Sequence, residues 1–227
     1  HYHSPPSFHA PKASCGRQQF ITTTTRDLDN HLDNAYKSKQ HRVDAEKKLQ
    51  ERYLGFVVVR SLVGAKIGRT VLKTYPLDGY RRYEVVRPYR VHLAGLKLTI
   101  NGLAYQEQDQ GAAVCASTAL WSALQRVAYV SGHRTPTPSA ITQAAKSPLP
   151  ASYGLDDAQM ATALSSLGYI ADQFMPAENR ALFRAKMVTC LQSQLPVILL
   201  LITKQETGAG TLAVGHAITV TGYREPP

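Results

Sequence analysis

The chain changes texture near residue 102, and that change limits the fold more than any other feature. Before it come short runs rich in β-branched and aromatic residues: FVVVRSL (56–62), IGRTVLKTY (67–75), YEVVRPYRVHL (83–93) and LKLTI (96–100). In the last run Leu96, Leu98 and Ile100 alternate with Lys97 and Thr99, the period of two expected of a half-buried strand. Turn residues separate the runs (Val63-Gly64, Pro76 to Gly79, Gly95), which predicts a small antiparallel meander. After it the apolar spacing becomes three and four. Helices are predicted at 116–130 (ASTALWSALQRVAYV), at 139–145 behind the breaker TPTP, at 155–167 stopped by Gly168, and from Ala177 to about Gln194, ended by Pro196. VILLLIT (197–203) and AVGHAITVTGY (213–223) follow as strands, so this half is α+β in order.

Ahead of the strands, 27–54 carries Leu28, Leu32, Ala35, Tyr36, Val43, Leu49 and Tyr53 roughly on a helical stripe, with no Pro or Gly to interrupt it. One long or broken helix closed by Gly55 is expected. Residues 1–25, with Pro5, Pro6, Pro11 and the run Thr22 to Thr25, show neither period and read as a flexible leader. Three regions result: a leader (1–25), a basic helix and β-meander module (26–101), and a domain over 102–227.

Charge divides the chain at the same place. Residues 1–100 hold 18 Lys and Arg against 8 Asp and Glu, so the whole excess of +10 lies there, while the remaining 127 residues are balanced. Arg60, Arg69, Lys73, Arg81, Arg82, Arg87, Arg90 and Lys97, interleaved with Tyr75, Tyr80, Tyr83 and Tyr89, are either the outer face of a solvated sheet or a basic, aromatic surface. As a surface, 26–100 would take an acidic protein or a nucleic acid.

With 44% apolar and 19% charged residues the composition excludes collagen-like, disulfide-scaffold and wholly disordered classes. The apolar run VILLLI is far short of the ~20 residues of a membrane span. HYHSPPSFHAPKASCGR lacks the apolar centre of a signal peptide, and a first residue other than Met reads as a trimmed or engineered start. Cys15, Cys115 and Cys190 are far apart with no CxxC pair, so neither a disulfide framework nor a zinc site is indicated. A reducing, cytoplasmic setting is expected, with delivery as a secreted effector left open. His1, His3 and His9 read as a tag remnant or leader rather than metal ligands, and no cofactor is predicted.

The candidate chemistry centres on Cys115, a nucleophile or an ordinary buried thiol, at the junction between the polar segment QEQDQGAAV and the helix beginning at Ala116, and on His216, a base or a hydrogen-bonded core histidine. A thiol in the first turn of a helix meets the positive end of the macrodipole and unpaired N–H groups, which favour the thiolate. Gln106, Gln108 and Gln110 lie just upstream as amide donors for an oxyanion. His216 follows Gly215 inside an otherwise apolar alternating strand, where an imidazole spoils the pattern unless it faces something polar. Thiol–imidazole catalysis draws its two groups from distant segments in this way.

These residues resemble a family. GHAITVTGY is similar to the glycine-histidine strand of papain-like cysteine peptidases, and QDQGAAVCASTALW to their segment of Gln, short Gly-containing loop, Cys and helix with Trp. GLDDAQMATALSSLGY resembles the helix-plus-glycine hairpin, and CLQSQLPVILLLI the helix-Pro-strand, of the compact bacterial branch that includes bacteriocin-processing, double-glycine peptidases. The resemblance spans about 102–223. It implies an α+β, two-lobe fold, with a helical lobe led by Cys115, an antiparallel β lobe holding His216, and a small basic helix-plus-β region in front. It implies hydrolysis of a peptide or isopeptide bond through an acyl-enzyme on Cys115, with His216 as general base; deamidases and acyltransferases use the same machinery. The family's oxyanion Gln falls at Asp109 here, and Gln108 is preferred over Gln110. The family's third member, a downstream Asn or Asp, has no counterpart between His216 and Pro227. An inactive papain-like domain carried by a basic binding module is the alternative.

Overall fold

The structure is a computed structural model and describes residues 15–61, 66–76, 78–107, 115–147, 154–175, 179–207 and 210–225, with 203–207 and 210–214 described by their backbone. In chain order the elements are β1 (Cys15–Ile21), α1 (Thr25–Ala35), α2 (Lys39–Arg52), β2 (Tyr53–Arg60), β3 (Ile67–Leu72), β4 (Arg81–Arg82), β5 (Arg87–Leu93), β6 (Leu96–Gly102), α3 (Cys115–Val130), α4 (Pro138–Ala144), α5 (Asp157–Ser166), α6 (Arg180–Gln192), β7 (Val197–Thr207), β8 (Gly210–Val220) and β9 (Tyr223–Arg224). The fold is mixed α+β with small antiparallel sheets: β1-β2-β3, β4-β9, β5-β6 and β7-β8.

Three expectations for the N-terminal part change. Cys15–Ile21, read as leader, is β1, paired with β2 from Cys15↔Arg60 to Ile21↔Tyr53. Its side chains are mostly exposed, so no local period betrayed a strand held by a partner far along the chain. His1, His3 and His9 lie outside the described residues. Of the two forms expected for 27–54 the structure has the broken one, because Thr24 and Ser38 accept hydrogen bonds from the N–H groups of Asp27 and His41 and begin a new helix at each point. Gly55 does not close α2. It lies inside β2 at φ 125°, where a Cβ would stand 2.1 Å from the carbonyl oxygen of Val71. The predicted meander is a three-stranded sheet and a separate hairpin, and Arg81–Arg82 pairs with Tyr223–Arg224 near the end of the chain.

The helices of the second half follow their capping residues. Thr137 of the breaker TPTP caps α4, and Asp156 forms a capping box with Gln159 at the start of α5, the place its carboxylate best offsets the helix dipole. Gly168 stops α5 at φ 83°. One buried cluster draws Leu49, Phe56, Val71, Leu98 and Ile100 from the first half together with Leu120, Trp121, Ile141 and Ala217 from the second. A smaller one joins Val85, Leu191 and Val197, with Cys190 packed against it. No helix among the described residues is long and apolar enough to cross a membrane.

Candidate functional site

α3 runs through the centre of the molecule. Ala116 to Gln125 are all buried, and a helix covered on every side belongs to a core. Each polar side chain in that stretch therefore needs a partner from the protein. Ser117 shares a 2.7 Å hydrogen bond with Thr142 of α4, and Ser122 donates to the carbonyl oxygen of Ala104. Gln125 is met by Arg69, Arg87 and Tyr89. Two polar atoms go without one: the Thr118 hydroxyl and Gln125 Nε2 are buried with no partner.

Thr118 lines a cavity of ≈ 290 Å³. Leu103, Tyr105 and Gln106, after β6, form one wall; Thr118, Ala119 and Ser122 of α3 a second; and the Ala217–Thr219 stretch of β8 a third. Burial pushes the Tyr105 hydroxyl pKa up, because phenolate is disfavoured away from water. The seam is held by Thr219, whose hydroxyl donates 2.7 Å to the carbonyl oxygen of Ala119, while the small, buried Ala217 lets strand and helix approach. Residues three, four and seven apart share one helix face, so Cys115 belongs to the same stripe as Thr118, Ala119 and Ser122. Cys115 is free and half-buried.

His216 is also half-buried, and it pairs with Leu201 of β7. Strand side chains alternate, so His216 leaves the sheet on the face opposite Ala217. Gly215 borders open space, with nothing within 4 Å of where a Cβ would stand. Among the described residues no hydrogen bond joins Cys115 to His216. Of the three upstream glutamines, Gln106 lines the cavity, whereas Gln108 and Gln110 lie outside the described residues. The fold thus draws the Cys115 helix and the His216 strand to one cavity, and leaves the thiol and the imidazole unjoined. Among the described residues no three of His, Cys, Asp and Glu are grouped to hold a metal.

Two features went unread in the sequence. Thr118 gives no signal there, since Thr is a mostly exposed residue type and nothing in its neighbours marks this one as buried. Gln125 does: it stands beside Leu124, Ala128 and Leu120 in a helix otherwise apolar at those turns. Compared with models of known families, with curated proteins and with solved structures, the chain matches none of them.

Proposed function

We propose that this chain is a cysteine peptidase of papain-like, two-lobe design, with Cys115 as nucleophile and His216 as general base. The observation that carries the reading is the shared helix face of Cys115, Thr118, Ala119 and Ser122, the last three lining the cavity closed by the His216 strand. In the reaction the imidazole takes the thiol proton and the sulfur attacks the scissile carbonyl carbon. The oxyanion is met by first-turn N–H groups of α3 and by a Gln amide. Gln108 remains our choice for that amide, and Gln106 already stands at the cavity wall. Collapse passes the proton from imidazolium to the leaving amine and leaves a thioester on Cys115; water then adds and releases the acid and the free thiol. For this cycle the His216 ring has to reach the α3 face of β8, opposite the face it leaves in the free chain. Hydrogen bonds of this kind are often long in the free enzyme and tighten with substrate.

Mass-spectrometric timing of iodoacetamide labelling near pH 6 tests it. Cys115 is expected to react at least tenfold faster than Cys15 and Cys190, and His216→Ala to slow that reaction about as much. Equal rates at the three thiols would falsify the enzyme reading. A second reading, an inactive papain-like domain with a basic binding region, is favoured by one observation: His216 has no carboxylate or amide partner among the described residues. It predicts those equal rates.

A further inference from the structure

Two cations and one neutral oxygen meet where β3, β5 and α3 come together. Arg87 Nη2 donates to Gln125 Oε1 at 3.0 Å and Arg69 Nη2 donates to the same atom at 3.2 Å, with the Tyr89 hydroxyl at 3.4 Å. Gln125 is fully buried beneath them. The guanidinium faces are occupied by rings: Arg87 lies 4.1 Å over Tyr89 and 5.4 Å from Tyr129, and Arg69 lies 5.8 Å from Trp121 and 5.9 Å from Tyr89. Ring contacts cover the flat faces of a guanidinium and leave its N–H edges to find acceptors.

Those acceptors are in short supply. An amide oxygen has two lone pairs, and Gln125 Oε1 already has three donors aimed at it, while each guanidinium carries five N–H groups. Arg87 Nε and Gln125 Nε2 are buried with no partner, so what is missing around them is an acceptor in both cases. Among the described residues no carboxylate answers the charge. The ion pairs of the described residues all lie elsewhere, joining Arg42 to Glu46, Asp78 to Arg81 and Arg224, Arg82 to Glu225, and Lys186 to Asp172. A third cation, Arg17 of β1, sits over the Phe56 ring, and its charge also acts on Arg69. Burial lowers the Arg69 pKa first; the Tyr89 hydroxyl opposes this, and the Arg87 and Arg17 charges add to it. Arg69 still keeps part of its surface in water, so the group opens to solvent.

We infer that Arg69, Arg87 and Gln125 form a binding site for a phosphate group, free or carried as a monoester. A dianion with three outer oxygens supplies the missing acceptors and offsets both charges at once, which a chloride or a single carboxylate does not. The site is independent of the peptidase reading, since none of its residues belongs to the cavity beside Cys115.

Calorimetric titration of the full chain at pH 7.5, with ionic strength held constant by sodium chloride, tests the site. Inorganic phosphate and phenyl phosphate are the probes and acetate the comparison. Saturable binding of phosphate below about 1 mM is expected. Tighter binding of phenyl phosphate assigns the site to an ester that rests on the exposed Tyr129 ring, and equal binding assigns it to the free ion. Arg69→Gln is expected to weaken binding at least tenfold. Arg90→Gln, the same loss of charge at an exposed position on β5, is expected to weaken it less than twofold. Equal losses in the two variants, or phosphate binding no better than acetate in the wild-type chain, would overturn the site. Should Arg69→Gln fail to fold, Arg69→Lys keeps the charge and loses the planar fork, and unchanged affinity there would overturn it as well.

Discussion

The β5-β6 and β7-β8 hairpins are built alike and buried differently. Both are two antiparallel strands in continuous register. In the first, Tyr89, Val91, Leu96, Leu98 and Ile100 are buried and the residues between them face water or lie half-covered. The second has the more apolar sequence, VILLLI, yet Leu200, Leu201 and Ile202 are exposed, Ile202 to 82%. Apolar content is therefore a poor guide to burial; what decides it is whether another element lies on the strand. α2 lies on the first hairpin and is tied to it. Gln50 donates to the carbonyl oxygen of Thr99 and accepts from its N–H, both at 2.7 Å, and Glu46 accepts from the N–H of Lys97. α3 covers the second hairpin at Ala217 and Thr219, and the Leu191 end of α6 covers Val197 on the other face. Neither reaches Ile202.

Truncating one apolar side chain in each hairpin separates the effect of cover from that of apolar content. Leu98→Ala is expected to cost about 2–5 kcal/mol in urea denaturation, the range for a large side chain removed from a packed core. Ile202→Ala is expected to stay within about 0.5 kcal/mol. Equal costs would mean that the second hairpin is covered in solution.

A smaller effect is expected from Tyr53, which is buried in the same core as the first hairpin and whose hydroxyl donates 2.6 Å to Gln19 Oε1. Burial raises its pKa to about 12, against a lesser opposing pull from Arg17. The folded chain then holds this proton more tightly than the unfolded one. The stabilisation is complete below about pH 10 and is lost as pH rises toward 12, a fall of about 2–3 kcal/mol. Denaturation midpoints across that window should fall more steeply for the wild-type chain than for Tyr53→Phe, and parallel curves would show the hydroxyl to be hydrated.

Smallest is the tie between α2 and β6. Gln50→Ala removes two hydrogen bonds whose backbone partners remain open to water, so about 1 kcal/mol is expected by the same denaturation measurement. A cost near zero would leave packing alone to hold the helix on the strand.

Where a residue's neighbours are close in sequence, the fold was legible. Thr137 after Pro136, Asp156 before a helix, Gly168 after one, and Leu96-Leu98-Ile100 each carry their own geometry. Where the partner is distant, it was not. Cys15–Ile21 is a strand only because β2 accepts it, Gly55 is needed only because Val71 crosses there, and Arg81–Arg82 pairs with Tyr223–Arg224 across most of the chain. The candidate site divides in the same way. Cys115 at a helix start and His216 in a strand follow from local pattern, but which face of β8 turns to α3 is fixed by Thr219 and Ala119, whose hydrogen bond no local pattern announces. Arg69 and Arg87 were legible as basic residues and not as a pair, because the Gln125 that joins them sits on a different element.

Gln50, reaching from α2 to both backbone groups of Thr99, occupies the position a further strand would take. A second molecule cannot add itself there by main-chain pairing without first prying the helix away, so self-assembly through β6 is closed at a place where bare sheet margins invite it. Concentrated solutions of this chain should accordingly stay free of growth from that side.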